Sequence, residues 1–124
     1  MTVAEFRKLK TQKPPKKNKT ETAAFEMWAK KQNLTFEKEV RFAPPRRWKA
    51  DFIFSCNGRQ IAVEIEGGVH SSGRHTRGVG FEKDMEKYNT YTYLGIYLLR
   101  FTTAQIEKEP AKCADFIKKC FLVK

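Results

Sequence analysis

The sequence predicts an α/β domain: a mixed sheet of four strands flanked by helices, in the order α-β-β-β-α-β-α. Three observations lead there. Two runs of β-forming residues flank Asn57-Gly58, the strongest short-range hairpin signal, because both central residues of a type I′ turn need positive φ. A nearly continuous apolar run over residues 96–101 marks a strand covered on both faces. Between them, residues 81–94 carry helical periodicity, which makes this segment the crossover that a parallel strand requires.

Taken in order, residues 1–19 hold Arg7, Lys8, Lys10, Lys13, Lys16, Lys17 and Lys19 against the single acid Glu5, and Pro14-Pro15 interrupts them. Too few hydrophobes and too many like charges predict a flexible basic arm, followed by one domain over residues 20–124. Thr20 is placed to cap a helix running to about residue 32, with Glu21 in its first turn, where the macrodipole favours an acid. Phe25, Trp28 and Ala29 form the buried stripe, and Glu21 lies on or beside it. Residues 35–42 alternate as a first strand, ended by Pro44-Pro45, and Arg46-Arg47 lead into the hairpin.

A two-residue turn fixes the hairpin's register. Cys56 faces Arg59, Ile53 faces Ala62, Asp51 faces Glu64 and Lys49 faces Glu66. Alternation then puts Lys49, Asp51, Glu64 and Glu66 on one face and Ala50, Phe52, Phe54, Ile61, Val63 and Ile65 on the other. Like charges opposed at roughly 4.5–5.5 Å destabilise a strand pair. A divalent cation would compensate Asp51 against Glu64. So would a solvated face on which Lys49 neutralises Glu66.

The acidic strand runs into a glycine-rich loop, residues 67–80, which contains both histidines, His70 and His75, with Arg74 and Arg77. Long loops of this kind are commonly functional, and these residue types bind phosphate or titrate near neutrality. In the helix over 81–94, Phe81, Met85, Tyr88 and Thr92 form the expected buried stripe. Lys87 lies off it, paired with Asp84 or leaning toward the acids. Gly95 stops the helix. Residues 102–109 read ambiguously, and a last helix over 111–122 packs Phe116, Ile117, Cys120 and Phe121 inward.

Composition narrows the function. The 124 residues carry a formal charge of +11 and a pI near 9.7, which points to a polyanionic partner, with nucleic acid first. No apolar run approaches the ~20 residues of a spanning helix, and no signal peptide is evident, so a cytoplasmic protein without a membrane partner is expected. Cys56, Cys113 and Cys120 are odd in number, lack metal-ligand spacing and are expected to stay reduced.

Four runs extend the reading: 47–52 (Arg-Trp-Lys-Ala-Asp-Phe), 63–68 (Val-Glu-Ile-Glu-Gly-Gly), 73–78 (Gly-Arg-His-Thr-Arg-Gly) and 81–89 (Phe-Glu-Lys-Asp-Met-Glu-Lys-Tyr-Asn). Together with the element order, they resemble the PD-(D/E)XK nuclease superfamily, in particular its small phage- and prophage-type endonucleases related to very-short-patch repair. The resemblance covers roughly residues 20–102. It implies a restriction-endonuclease-like αβββαβ core and a metal-dependent DNA endonuclease using Mg²⁺ or Mn²⁺ in phage DNA processing, repair or recombination, in the host cytoplasm if phage-encoded.

Carried over by position, Asp51 and Glu64 are the metal-binding acids, and Glu21 matches the first-helix glutamate of many members. Glu66 stands where the motif has lysine, as a further ligand or a water-orienting base. Lys87, or else Lys49, would supply the missing cation, and His70 would position substrate or protonate the leaving oxygen. Arg46, Arg47, Lys49, Arg74, His75, Arg77, Lys16 and Lys17 are the expected DNA contacts, and cutting both strands would call for a homodimer or two successive events. A catalytically degenerate DNA-binding accessory protein is the alternative. A third reading, an RNA-directed module, lacks an aromatic RNA-binding signature.

Overall fold

The structure, a computed structural model, describes residues 20–67 and 79–123, with backbone only for 79–81. The basic arm and most of the glycine-rich loop, with Lys16, Lys17, His70, Arg74, His75 and Arg77, lie outside the described residues. The elements are α1 (Ala23–Lys31), β1 (Thr35–Arg41), β2 (Lys49–Cys56), β3 (Arg59–Glu66), α2 (Val79–Tyr93), β4 (Tyr97–Thr102), α3 (Thr103–Lys108) and α4 (Pro110–Leu122). The strands form one sheet in the order β1-β2-β3-β4. β1, β2 and β3 pair antiparallel, and β4 joins β3 in parallel after the α2 crossover. This is the α/β architecture expected, a mixed sheet with helices on both faces.

The hairpin turn behaves as its residues dictate: Asn57 and Gly58 take φ of 50° and 79°, and the register of Cys56 with Arg59, Ser55 with Gln60 and Ile53 with Ala62 follows. One face of the sheet is covered by α1, α3 and α4. There Phe25, Phe52, Phe54, Ile61, Val63, Ile106 and Ile117 form the larger core, and Phe25 meets Phe52 and Phe54 edge-on at 5.2 and 5.9 Å, a favoured aromatic geometry. The other face carries α2 over a smaller core of Ala50, Ile53, Ala62, Tyr91 and Ile96. β4 is an edge strand and is only partly covered: Leu99 and Phe101 pack against the first core and Leu98 against the second, while Tyr97 is exposed, so the full two-sided cover that the apolar run implied is not found.

Several expectations are corrected. Alternation put Ala50 beside Phe52, yet Ala50 packs in the α2-side core and Phe52 in the opposite one. The same exchange separates Phe36 from Val40 on β1. Both strands change face at one place, the Glu39/Asp51 rung that the β1–β2 ladder skips, where Glu39 takes φ of 50°. A left-handed residue re-aims the chain as a bulge does.

The first helix begins at Ala23, with Thr22 rather than Thr20 at its N-cap position. Glu21 therefore precedes the helix, exposed, with its backbone N–H donating to Glu107. Glu26 is the acid of the first turn, held by Thr22 and by Lys38 at 2.7 and 2.8 Å. The ambiguous 102–109 stretch is α3, started by a capping box between Thr102 and Gln105. On α4, Cys113, Ala114 and Ile117 face inward, whereas Phe116 is exposed. Among the described residues no helix is long and apolar enough to cross a membrane.

Candidate functional site

β2 and β3 run side by side to Phe52 and Val63, where their ladder stops. One residue beyond, the acids begin. Asp51 turns its carboxylate onto the backbone of β3: Oδ2 accepts the Ile65 N–H at 2.7 Å, in place of a strand-to-strand bond. Asp51 also lines a pocket with Thr20, Thr22, Lys38, Glu39, Phe52 and Ile65, at the N-terminal end of α1.

Glu64 faces α2. It is 6% exposed and is the one charged residue in the buried class among the described residues. Its Oε2 accepts a short hydrogen bond from the Tyr91 hydroxyl and lies 2.9 Å from Lys87 Nζ. Lys87 Nζ donates as well to the Lys49 carbonyl at 3.0 Å. A buried carboxylate is costly unless it is paired and hydrogen-bonded, and Glu64 has both kinds of partner.

Glu66, two residues on, takes Arg100 Nη2 at 2.5 Å and the Tyr88 hydroxyl at 3.3 Å. Arg100 in turn lies 4.7 Å from the centre of the Tyr88 ring. The hairpin alone suggested Lys49 as the partner of Glu66; β4 supplies Arg100 instead.

Burial pushes the Glu64 carboxyl above its ordinary 4.5, against the downward pull of Tyr91 and Lys87, and the negative charge of Asp51 adds to the rise. Tyr91 is raised by burial and by its bond to Glu64. Tyr88 is pushed up to about 12 by burial first and then by the charge of Glu66. Both phenols stay protonated as donors at neutral pH. Arg100 is raised by its bond to Glu66.

A carboxyl raised in the folded state contributes stability that is fully present below its unfolded pKa and is lost as pH rises through the folded one. Melting temperatures of the wild type and Glu64→Gln, compared across pH, are therefore expected to shift in favour of the variant as pH rises from near 4.5. A difference that stays flat through that window would show that Glu64 is not raised.

The helix that carries this chemistry is turned differently from the sequence expectation. Met85 and Thr92 are exposed. Tyr88 faces the sheet as expected, but together with Lys87 and the completely buried Tyr91, and the Phe81 side chain lies outside the described residues. Lys87 thus lies on the inward face and leans on the acids, one of its two expected outcomes. Tyr91 was missed as a site residue, although its position four after Lys87 puts both on one helix face. Arg100, the lone charge in the apolar 96–101 run, was a similar signal.

Asp51, Glu64 and Glu66 do not merge into one cluster, since each has its own partner. Among the described residues, no group of three or more His, Cys, Asp or Glu side chains could hold a metal ion. Asp51 Oδ1 and Glu64 Oε1 accept no hydrogen bond from the described residues. With two carboxylates at most, an ion here would take the rest of its shell from water and substrate phosphate, as Mg²⁺ commonly does, and not from an all-protein cage.

Of the expected phosphate contacts that are described, Arg46 pairs with Glu86 on α2 and stacks on the Trp48 ring at 4.3 Å. Arg47 and Lys49 are exposed. No protein-family model and no curated protein matches this chain in sequence.

Proposed function

We propose that the protein is a divalent-cation-dependent DNA endonuclease with a restriction-endonuclease-like core, hydrolysing phosphodiester bonds where β2 and β3 end. The observation that carries this reading is Lys87 reaching from α2 to within 2.9 Å of the buried Glu64 carboxylate, in the neighbourhood of Asp51. Two acids and a lysine from a following helix reproduce the residue types of the resemblance in spite of Glu66. The αβββαβ part of the element order and the +11 charge support the same reading.

Asp51 and Glu64 would hold Mg²⁺ or Mn²⁺ through Asp51 Oδ1 and Glu64 Oε1. The bound ion would supply a water of lowered pKa and screening of phosphate charge. Lys87 keeps Glu64 ionised in a buried place and stands ready to donate to a non-bridging phosphate oxygen or to the attacking water. Tyr91 donates to the same Glu64 oxygen and helps to fix its rotamer. Glu66 is assigned to anchoring Arg100 and Tyr88 rather than to the ion. His70, Arg74, His75 and Arg77 would serve as substrate contacts, and Arg47, Lys49, Lys16 and Lys17 would hold the DNA backbone without reading its sequence.

The test is cleavage of labelled duplex, branched and single-stranded DNA with Mg²⁺ or Mn²⁺. Lys87→Met is expected to slow cleavage by about a hundredfold, the scale of losing one preorganised donor, with DNA affinity changed only a fewfold. Undiminished cleavage by Lys87→Met would remove Lys87 from the site.

One observation favours the rival reading of a DNA-binding accessory protein: Lys87 already neutralises Glu64, so the acid has a partner without an ion. That reading expects DNA binding with no cleavage of any substrate in the panel.

A further inference from the structure

The segment between β1 and β2 builds a continuous stack from the surface into the site. Tyr91, whose hydroxyl donates to Glu64, lies face to face with Phe42, ring centres 4.0 Å apart and planes 16° from parallel. Phe42 stacks on Trp48 at 6.2 Å and 19°. Trp48 carries the Arg46 guanidinium on its ring at 4.3 Å, and Glu86 on α2 pairs with that guanidinium. The Arg46 side chain is 52% exposed, the Arg41 guanidinium donates to the Arg46 carbonyl, and Arg41 and the nearby Arg47 and Lys49 are exposed.

A planar cation over an indole, with an ion pair holding it, can offer a π-like surface to solvent. Unpaired nucleobases stack on aromatic rings and on guanidinium planes, and basic neighbours hold the connecting phosphates. A paired base inside a duplex has both faces occupied and cannot reach such a platform.

We propose that Arg46 and Trp48 form a binding site for an unpaired nucleobase of DNA. A single-stranded or flapped strand would stack one base on the outer end of the Arg46–Trp48–Phe42–Tyr91 column, and its backbone would lead toward Glu64 and Asp51. The inference deepens the proposed function by naming the substrate class, and it rests on that reading for the meaning of the acids. Its charge and stacking terms do not need the reaction to occur.

The test is equilibrium binding of the full chain to fluorescein-labelled oligonucleotides, read by anisotropy in EDTA so that cleavage plays no part. Single-stranded DNA is expected to bind at least about tenfold tighter than a blunt duplex of the same length, in line with stacking of one base. Replacing bases of the single strand by abasic residues should remove that advantage. Arg46→Lys keeps the charge and loses the plane, so it should lose most of the preference, whereas Lys119→Arg on α4, an exposed position, should keep it. Trp48→Phe, which retains a ring and a packed Phe42, should retain part of it.

Equal affinity for intact and abasic strands, or an undiminished preference in Arg46→Lys, would overturn the stacking site. The same protein with Mg²⁺ reports separately on hydrolysis: base-dependent binding without cleavage sinks the nuclease reading and leaves this site standing, and cleavage without base dependence does the reverse.

Discussion

Asp51→Asn is expected to cut divalent-cation-dependent DNA cleavage by about a thousandfold, the scale of losing several kcal/mol of charge stabilisation in the reaction. Asparagine is nearly isosteric and keeps a side-chain oxygen to accept the Ile65 N–H, now at 2.7 Å, so the end of β3 stays closed. Only the negative charge and its second donor oxygen are lost. Salt-sensitive DNA binding should be retained or slightly strengthened, because a carboxylate has been taken out of a surface meant for phosphate. Cleavage rates on the best substrate, set beside a binding isotherm in EDTA, separate the two effects. A variant that cuts as fast as the wild type would take Asp51 out of the chemistry, and one that neither cuts nor binds would assign it to folding.

Tyr91 is expected to show the largest effect on stability. Its side chain is among the largest that are fully buried, lies against Phe42 at 4.0 Å and donates to the buried Glu64. Tyr91→Ala opens a ring-sized cavity under α2 and deletes the donor together, and a cost of about 3–5 kcal/mol is expected. Tyr91→Phe separates the terms, keeping the stack and removing the hydroxyl. A cost of about 1–3 kcal/mol follows from leaving a buried acceptor with one partner fewer. Urea unfolding of both variants at neutral pH checks the ordering. Equal losses would show that the ring contributes nothing, and no loss in the phenylalanine variant would show that Lys87 alone satisfies Glu64.

What could be read from the sequence was what depends on local rules. Asn57-Gly58 dictates a turn with two positive φ values, and the register out to Phe52 and Val63 follows by counting. The apolar run over 96–101 read correctly as a strand, though β4 is less covered than the run implied. The crossover helix was legible in extent but not in rotation. Apolar spacing favoured Met85 and Thr92, yet the inward face of α2 holds a lysine and two tyrosines because it covers acids as well as aliphatic residues. The change of face at Glu39 and Asp51 had no sequence signal, since a glutamate at φ of 50° goes against its own preference. It is also what breaks the expected acid cluster, sending Asp51 to the Ile65 amide while Glu64 and Glu66 turn to α2 and β4. The partner of Glu66 needed the parallel pairing of β3 with β4, which sets Arg100 beside Glu64 in the ladder, and no single-strand rule fixes that offset.

Chain entry into α1 was misplaced by two residues because Thr20 and Thr22 are equivalent as sequence signals. The structure gives them different work: Thr20 meets Thr103 at 3.2 Å, and Thr22 holds Glu26. That displacement leaves Glu21 exposed and ahead of the helix, with the Glu107 carboxylate accepting from its backbone N–H, so the first-helix glutamate of the resemblance has no counterpart inside α1 at that position.

Calorimetric titration of Mn²⁺ into the wild type, Glu64→Gln and Glu82→Gln decides whether the paired acids take up an ion. Saturable heat in the wild type, lost in Glu64→Gln and kept in Glu82→Gln, is the expected outcome. Equal heats in all three proteins, or none in the wild type, would mean that Lys87 and Tyr91 complete the Glu64 site by themselves and that it holds no catalytic cation.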